Sequence, residues 1–271
     1  MTSTMNPERY GDRLFRHSNQ GEDKRLGALT RAFHAATTAR LIALGVQPGW
    51  RCLDVGAGTG VISRWLADTA APGQVVALDR DTGLLDTAGL TNVTIHQADA
   101  VNDNPDLGGF DLVHARFLLM HLREREAVLA KLATWLRPGG WLLVSDAADL
   151  ATPASPSPAL RTTISSLWKM LNTSIGMEIN YSRAYPRPLL KAGLTNVDIA
   201  VDLPVLRAGS PIAEFLTEHL VSVRTQLLET GLHPDTLDNA LTYLNAPDTL
   251  DLTFGMISAW GQCPAEADPS E

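Results

Sequence analysis

Between residues 50 and 150 the chain alternates short apolar runs with segments of helical period. Cys52-Leu53-Asp54-Val55, Val75-Val76-Ala77-Leu78, Val93–Gln97, Phe110–Ala115 and Trp141–Ser145 read as strands. Val61–Ala71 and Leu122–Leu136 read as helices, and Pro138-Gly139-Gly140 makes a turn into the strand behind it. Strands that are apolar throughout and separated by helices predict a parallel sheet covered on both faces. Ahead of this block, Glu22–Leu44 lacks proline and places Leu26, Leu29, Phe33, Ala36, Leu41 and Leu44 at roughly helical spacing, with Gly45 and Pro48-Gly49 ending the helix. Behind it, the Pro/Ser-rich stretch ATPASPSP at 151–158 reads as a connector. Helical segments follow around Leu160–Leu171 and Ala184–Ala192, then an alternating strand over Thr195–Leu206, helices over Pro211–Thr230 and Pro234–Leu244, and a last strand over Thr253–Trp260. PAEADPSE at 264–271 predicts a disordered tail. The expected fold class is therefore α/β and doubly wound. Its expected divisions are a helical cap at 1–47, a Rossmann-like core at 48–150, lid insertions with the last two strands at 151–263, and the tail.

Composition narrows the function. Of 271 residues, 45% are hydrophobic and 19% charged, enough to bury a sizeable core and too apolar for a wholly disordered chain. No apolar run reaches the roughly 18–20 residues that cross a bilayer. The opening MTSTMNPERYGDRLFRHSNQ lacks the apolar core of a signal peptide. Twenty-two Lys and Arg against 30 Asp and Glu leave a net charge of −8, which argues against a nucleic-acid partner. Cys52 and Cys263 lie far apart in the pattern, so no disulfide framework is expected and a reducing cytoplasm fits. No Cys/His cluster has zinc spacing, and no metal is expected.

The most specific feature is Leu53-Asp54-Val55-Gly56-Ala57-Gly58-Thr59-Gly60, which follows a strand and opens a helix. Glycines there let the backbone turn sharply and let a ligand approach without interference from a Cβ. A nicotinamide dinucleotide site wants Gly or Ala at position 61, where this chain has Val61, so a dehydrogenase is disfavoured. The bland alternative is a tight turn that binds nothing. Asp79 ends the next strand, 19 residues after Gly60. An acid there can accept from both hydroxyls of a ribose, although an acid at a strand end is also a common helix cap. Asp99 ends the following strand before the small Ala100. Its carboxylate can accept from an adenine amine while the Ala100 N–H donates to a ring nitrogen.

LDVGAGTG, VVALDRD, HQADA, FDLVHARFLLMHL and LRPGGWLLVSD, in that order, resemble the motifs of class I S-adenosylmethionine-dependent methyltransferases over about residues 20–150. HARFLLMHL with SRAYPRPLLKAGLTNV and ISAWGQ is similar to small-molecule methyltransferases of bacterial secondary metabolism. The resemblance implies a seven-stranded sheet whose last strand, Thr253–Trp260, is antiparallel. It implies S-adenosylmethionine as cofactor and S-adenosylhomocysteine as its product. Asp54 and the backbone of Gly56, Ala57, Gly58 and Gly60 would cradle the methionine end. Asp79 would hold the ribose, with Arg80 beside the adenine, Asp99 and Ala100 reading the adenine, and the Ala115 carbonyl meeting the ammonium. The chain departs from the family at Thr82-Gly83, where a proline often follows the ribose acid.

The acceptor is less legible. Ala115-Arg116-Phe117-Leu118 stands where amide-methylating enzymes of DNA and protein carry an Asn/Asp-Pro-Pro-aromatic motif, and no Pro-Cys nucleophile is present. With the acidic charge, this points to a small-molecule acceptor. Candidate catalytic residues are His121, Arg116 and His114. His114 reads equally as a core histidine, His121 as a proton shuttle or a structural hydrogen bond, and Arg116 as an anion clamp or an ion-pair partner. Asp146 and Asp149 follow the fifth strand and read as metal ligands or as caps. Trp168, Met170, Met177, Tyr181 and Tyr185 lie in the insertion that forms a lid in the family, and Tyr10, Phe15 and Arg25 would close the other side. The expectation is cytoplasmic methyl transfer to the O or N of a natural product, as in antibiotic biosynthesis, with S and C open, by a monomer or homodimer. Two alternatives remain: a cofactor-bound cyclisation or rearrangement, and a binding protein without chemistry.

Overall fold

In the computed structural model, which describes residues 8–265, the apolar runs become β1 (Cys52–Val55), β2 (Val75–Asp79), β3 (Val93–Gln97), β4 (Phe110–Arg116) and β5 (Leu136–Asp149). The remaining strands are β6 (Thr195–Asp202), β7 (Val205–Arg207), β8 (Leu250–Leu252) and β9 (Phe254–Gln262). The helices are α1 (Glu22–Ala43), α2 (Val61–Ala70), α3 (Arg125–Thr134), α4 (Pro158–Ile175), α5 (Pro186–Lys191), α6 (Pro211–Ser222), α7 (Arg224–Glu229) and α8 (Pro234–Asn245).

Seven strands form one sheet in the order β3-β2-β1-β4-β5-β9-β6, and β9 runs antiparallel to both its neighbours. β1 is buried along its whole length, Asp54 included. The chain winds from β1 outward through β2 to β3, then returns to β1's other side at β4. That reversal opens a crevice beyond the C-terminal ends of β1 and β4, where ligands bind in open α/β sheets. α1, α4, α6 and α8 supply a core of their own that packs on Ala147, Phe254 and Met256, at this same end of β5 and β9. Ser157 and Ser210 cap α4 and α6 by accepting from the backbone N–H three residues on, each followed directly by proline.

Four elements differ from the sequence expectation. The helix over Leu122–Leu136 is a 3-10 turn at Leu119–His121 followed by α3, because Leu122 is extended and Leu136 pairs with Phe110 in the sheet. The Pro138-Gly139-Gly140 turn lies inside the long β5 as a register shift against β4. The strand over Thr195–Leu206 breaks before Pro204, which has no N–H to give; β7 leaves for a two-stranded sheet with β8, a strand that was not expected. The helix over Pro211–Thr230 is broken at buried Val223 into α6 and α7. Six residues of the expected tail, 266–271, lie outside the described residues.

Candidate active site

The crevice holds a cavity of about 230 Å³ that reaches from the glycine loop and β2 to the helical core over β5 and β9. At the loop end, Gly60 begins α2 at φ +75°, and a Cβ there would stand 2.8 Å from the Asp86 carbonyl, so only glycine fits. Gly58, at φ +55°, faces open space instead. Its N–H donates to Asp79 Oδ2 (2.8 Å), and the Asp81 N–H donates to Asp79 Oδ1 (3.0 Å). Each oxygen keeps a lone pair for a ligand. Burial pushes the Asp79 carboxyl above the usual carboxylate range, against the pull of those two N–H groups.

Asp99 also borders the cavity, but its carboxylate is engaged by Arg9 in a bidentate pair (2.6 and 3.1 Å), by the Val101 N–H and by Asn102. Burial alone would raise its pKa; the Arg9 and N–H bonds override it and hold the group at about 2. Ala100 borders the same end. Arg80 donates to the Tyr10 carbonyl (2.6 Å) and pairs with Asp12 (3.0 Å). Arg9 and Arg80 thereby strap residues 9–12 across the nucleotide end.

Deeper in, β4 alternates: His114 and Arg116 face the cavity, whereas Ala115 packs inside the sheet between Val55 and Val144 and does not border it. His114 Nδ1 lies 2.8 Å from Asp54 Oδ1, and Ser63 donates to Asp54 Oδ2 (2.6 Å). Burial would raise the Asp54 pKa, but these bonds keep the group ionised, below its ordinary value. Both Asp54 oxygens are thus taken within the protein, and its reach to a ligand runs through His114. An ionised Asp54 makes Nδ1 a donor, and Nε2 is buried and without a partner among the described residues. Arg116 donates to the Thr37 hydroxyl (2.9 Å) and has no carboxylate within ion-pair distance among the described residues. Burial depresses its pKa to about 10.

The far end is apolar. Phe117, Met120, Trp168, Met177, Phe215 and Phe254 border it. His121 stands at the junction with its ring 4.1 Å from that of Tyr10, its Nδ1 buried and unpartnered among the described residues. Burial and the charges of Arg25 and Arg125 lower its pKa to about 3, so the ring is neutral across the physiological range. Asp146 receives the Met120 N–H (3.0 Å) and the Tyr185 hydroxyl, which fixes the 3-10 turn that carries His121. Asp149 receives the Trp168 Nε1–H (2.8 Å) and the Thr152 N–H. Both acids are committed to hydrogen bonds, and among the described residues no group of three or more metal-ligating side chains is assembled. Of the expected lid residues, Trp168 and Met177 border the cavity, whereas Met170, Tyr181 and Tyr185 do not.

Sequence reasoning missed Arg9 and His219. Arg9 carries no local signal. His219 carried one: it lies four residues after Phe215 on the apolar face of α6, where a polar side chain is out of place.

A family model described as a methyltransferase domain matches residues 15–198, well over half the chain. Phosphoethanolamine N-methyltransferase 1 of Arabidopsis thaliana is 27% identical over 160 residues, 57% of this chain and 30% of that protein. The ubiquinone/menaquinone biosynthesis C-methyltransferase UbiE of Laribacter hongkongensis is 33% identical over 124 residues, 41% of this chain and 49% of that one. The chain therefore spans between about a third and a half of these curated relatives. Among solved structures, phosphoethanolamine N-methyltransferase 2 of Haemonchus contortus, in complex with phosphomonomethylethanolamine and S-adenosylhomocysteine, superposes with a TM-score of 0.59 at 18% identity, over 92% of this chain and 59% of that one. The fold is that of the class I methyltransferases, with the one antiparallel strand the sequence led us to expect.

Proposed function

The chain belongs to the methyltransferase-domain family, and from that premise we propose that it moves a methyl group from S-adenosylmethionine to the oxygen or nitrogen of a small-molecule acceptor of secondary metabolism. One observation carries the reading: a single cavity joins a glycine loop with its ribose-type acid to an apolar chamber with a neutral histidine at the junction.

The residues present fit the cofactor. Open space over Gly58 admits a close ligand, and Asp79 has acceptor capacity for two ribose hydroxyls. Arg116, a half-buried cation with no carboxylate within ion-pair distance among the described residues, suits the carboxylate of the methionine moiety. The lone pair of His114 Nε2, unpartnered and backed by Asp54, suits its ammonium. Together they make a zwitterion site that satisfies polar atoms otherwise left bare. Ala100, which borders this end of the cavity beneath the strap of Arg9 and Arg80, suits the adenine.

When bound, S-adenosylmethionine supplies a methyl carbon already activated by its sulfonium. The protein's own work is then to align the acceptor and exclude water. Alignment alone is worth about 7–11 kcal/mol of barrier in favourable cases. His121 is the group at the junction able to touch the acceptor. Its ring is unprotonated at neutral pH, so it can accept a hydrogen bond from the acceptor's O–H or N–H and orient that atom toward the methyl carbon, and the proton released by methyl transfer passes to water. The ring of Tyr10 packed on His121 closes the junction to solvent.

The test is turnover with S-adenosylmethionine, followed by mass spectrometry of product and spent cofactor. Product heavier by one methyl group, formed in step with S-adenosylhomocysteine and inhibited by it, is expected. Conversion that runs equally well with S-adenosylhomocysteine and adds no mass would refute the reading.

A further inference from the structure

At the apolar end, a buried cluster stands ready for a particular kind of acceptor. Arg25 and Glu22 on α1 form a two-point ion pair (2.9 and 2.6 Å), with Arg25 only 3% exposed. The charge of Arg25 is spent inside the protein. Its remaining donors reach Tyr10 Oη (2.5 Å) and His219 Nδ1 (3.1 Å). A guanidinium has only donors to offer, so His219 Nδ1 must be the acceptor. Burial, Arg25 and His121 all oppose a charge on His219, so the ring is neutral and its one proton sits on Nε2. The ring is gripped by Phe15 (centroids 4.7 Å apart, stacked) and by Phe215 (5.2 Å), and cannot turn freely to find another partner.

His219 is 4% exposed and borders the cavity, yet its Nε2–H meets no acceptor among the described residues. A buried donor held in one tautomer by a buried ion pair calls for an acceptor, and the cavity it borders is where a ligand atom supplies one. The surroundings say what that ligand is. Leu29, Phe117, Met120, Trp168, Phe215 and Phe254 give an apolar, largely aromatic wall. The other arginines on the cavity are committed: Arg9 to Asp99, Arg80 to Asp12, and Arg116, on the functional reading above, to the cofactor. Among the described residues that border this side of the cavity, no arginine or lysine is left to neutralise a phosphate or carboxylate.

Resting on the methyl-transfer reading, we infer that the acceptor is an uncharged, ring-bearing apolar molecule whose hydroxyl or carbonyl oxygen accepts the Nε2–H of His219. Phosphorylated amino alcohols, the substrates named for the phosphoethanolamine relatives, are excluded by the same wall. His219 touches the acceptor directly, and Arg25 is a positioning residue that acts by fixing the tautomer.

The experiment uses 2-naphthol and naphthalene as probes, with quenching of tryptophan fluorescence as the binding signal, in the full-length protein with and without S-adenosylhomocysteine. His219→Phe keeps the ring stack and removes the donor; His219→Gln restores an N–H at the Nε2 position. Far-UV dichroism reports that each variant is folded. Expected is a roughly tenfold weaker hold on naphthol in His219→Phe, recovery in His219→Gln, unchanged naphthalene binding in both, and no binding of phosphoethanolamine. Equal losses for naphthol and naphthalene, no binding of either to the wild type, or tight binding of phosphoethanolamine would overturn the inference. Failure of the wild type to bind S-adenosylhomocysteine, with the naphthol pattern intact without it, would overturn the methyl-transfer reading and leave oxygen recognition by His219 standing.

Discussion

Replacing Asp79 by alanine tests the nucleotide end of the site at its most exacting point. The carboxylate accepts from Gly58 and Asp81 and borders the cavity, and each oxygen has capacity for one further hydrogen bond, which on the proposed reading a ribose hydroxyl donates. A hydrogen bond to a charged group contributes about 1.5–3 kcal/mol. Two ribose hydroxyls therefore place up to about 3–6 kcal/mol on this one side chain, of which water refilling the gap returns a part. Taking about 3 kcal/mol as the net loss, and about 1.4 kcal/mol per factor of ten, the affinity for S-adenosylhomocysteine should fall about 100-fold. Titration calorimetry measures it directly.

The alanine also strips an acceptor from the Gly58 N–H, so a loop that loses its shape could imitate lost ligand contact. Asp79→Asn separates the two: the amide keeps one oxygen for the loop and surrenders charge and acceptor capacity toward the ribose. An intermediate loss is expected for Asn. Acid supplies a third perturbation without mutation. Burial holds the Asp79 pKa above the ordinary range, so lowering the pH protonates it early, and wild-type affinity should fall in acid while that of Asp79→Ala stays flat. A loss under about fivefold in Asp79→Ala would refute the assignment, since it is less than one such hydrogen bond.

Gly60→Ala and Gly58→Ala should part company: the first meets the Asp86 carbonyl and unfolds at markedly lower temperature, whereas the second carries only about 1–2 kcal/mol of left-handed backbone strain yet loses cofactor affinity, as thermal melts and calorimetry will show. Arg116→Leu should weaken S-adenosylhomocysteine about tenfold or more while a cofactor analogue lacking the carboxylate, such as methylthioadenosine, binds as before; equal losses for both would refute the zwitterion site. Asp146 has a pKa raised to about 7 by burial, against the Tyr185 and backbone bonds. Its folded form therefore holds a proton that the unfolded chain has released, so stability present in acid is lost, by about 1.4 kcal/mol per pH unit, as pH rises from the ordinary carboxylate range to about 7. Urea unfolding of Asp146→Asn should lack that slope, because the amide still accepts from Met120 and never ionises.

The fold was legible because its signals are local and repeated. Five short, mostly apolar runs, a glycine loop between the first of them and a helix, and acids at the ends of the next two are enough to place β1, β2 and the crevice. The errors fell where tertiary pairing overrode periodicity. Leu136 continues the helical pattern of α3, but Phe110 offers it a sheet partner, and pairing won. Thr195–Leu206 alternates throughout, and Pro204 alone marks the change of sheet. A single residue without an N–H decided what twelve positions of pattern could not.

What the sequence brings forward of the candidate site is its glycine-loop end, and the reason is physical. Glycine loops and ribose acids are read from the order of residues along one strand and turn. The acceptor end is built from pieces remote in sequence: Arg25 and His219 are separated by 194 positions. Nothing in the spacing of Arg25 says that its charge is already spent on Glu22, and nothing in α6 says which nitrogen of His219 bears the proton. Those facts come from three contacts in sequence: the ion pair neutralises Arg25, Arg25 fixes the tautomer, and the tautomer decides whether the cavity wall donates or accepts. A change at Glu22 would propagate along the same chain. Glu22→Gln leaves the guanidinium with a net charge beside the apolar chamber. A carboxylate-bearing ring compound such as 2-naphthoate, which the wild type should refuse, then gains a partner. The expected outcome is an inversion of preference between 2-naphthol and 2-naphthoate, measured by the same fluorescence quenching. If Glu22→Gln weakened both alike, the neutrality of the Arg25 pair would not be what shapes the chamber's choice.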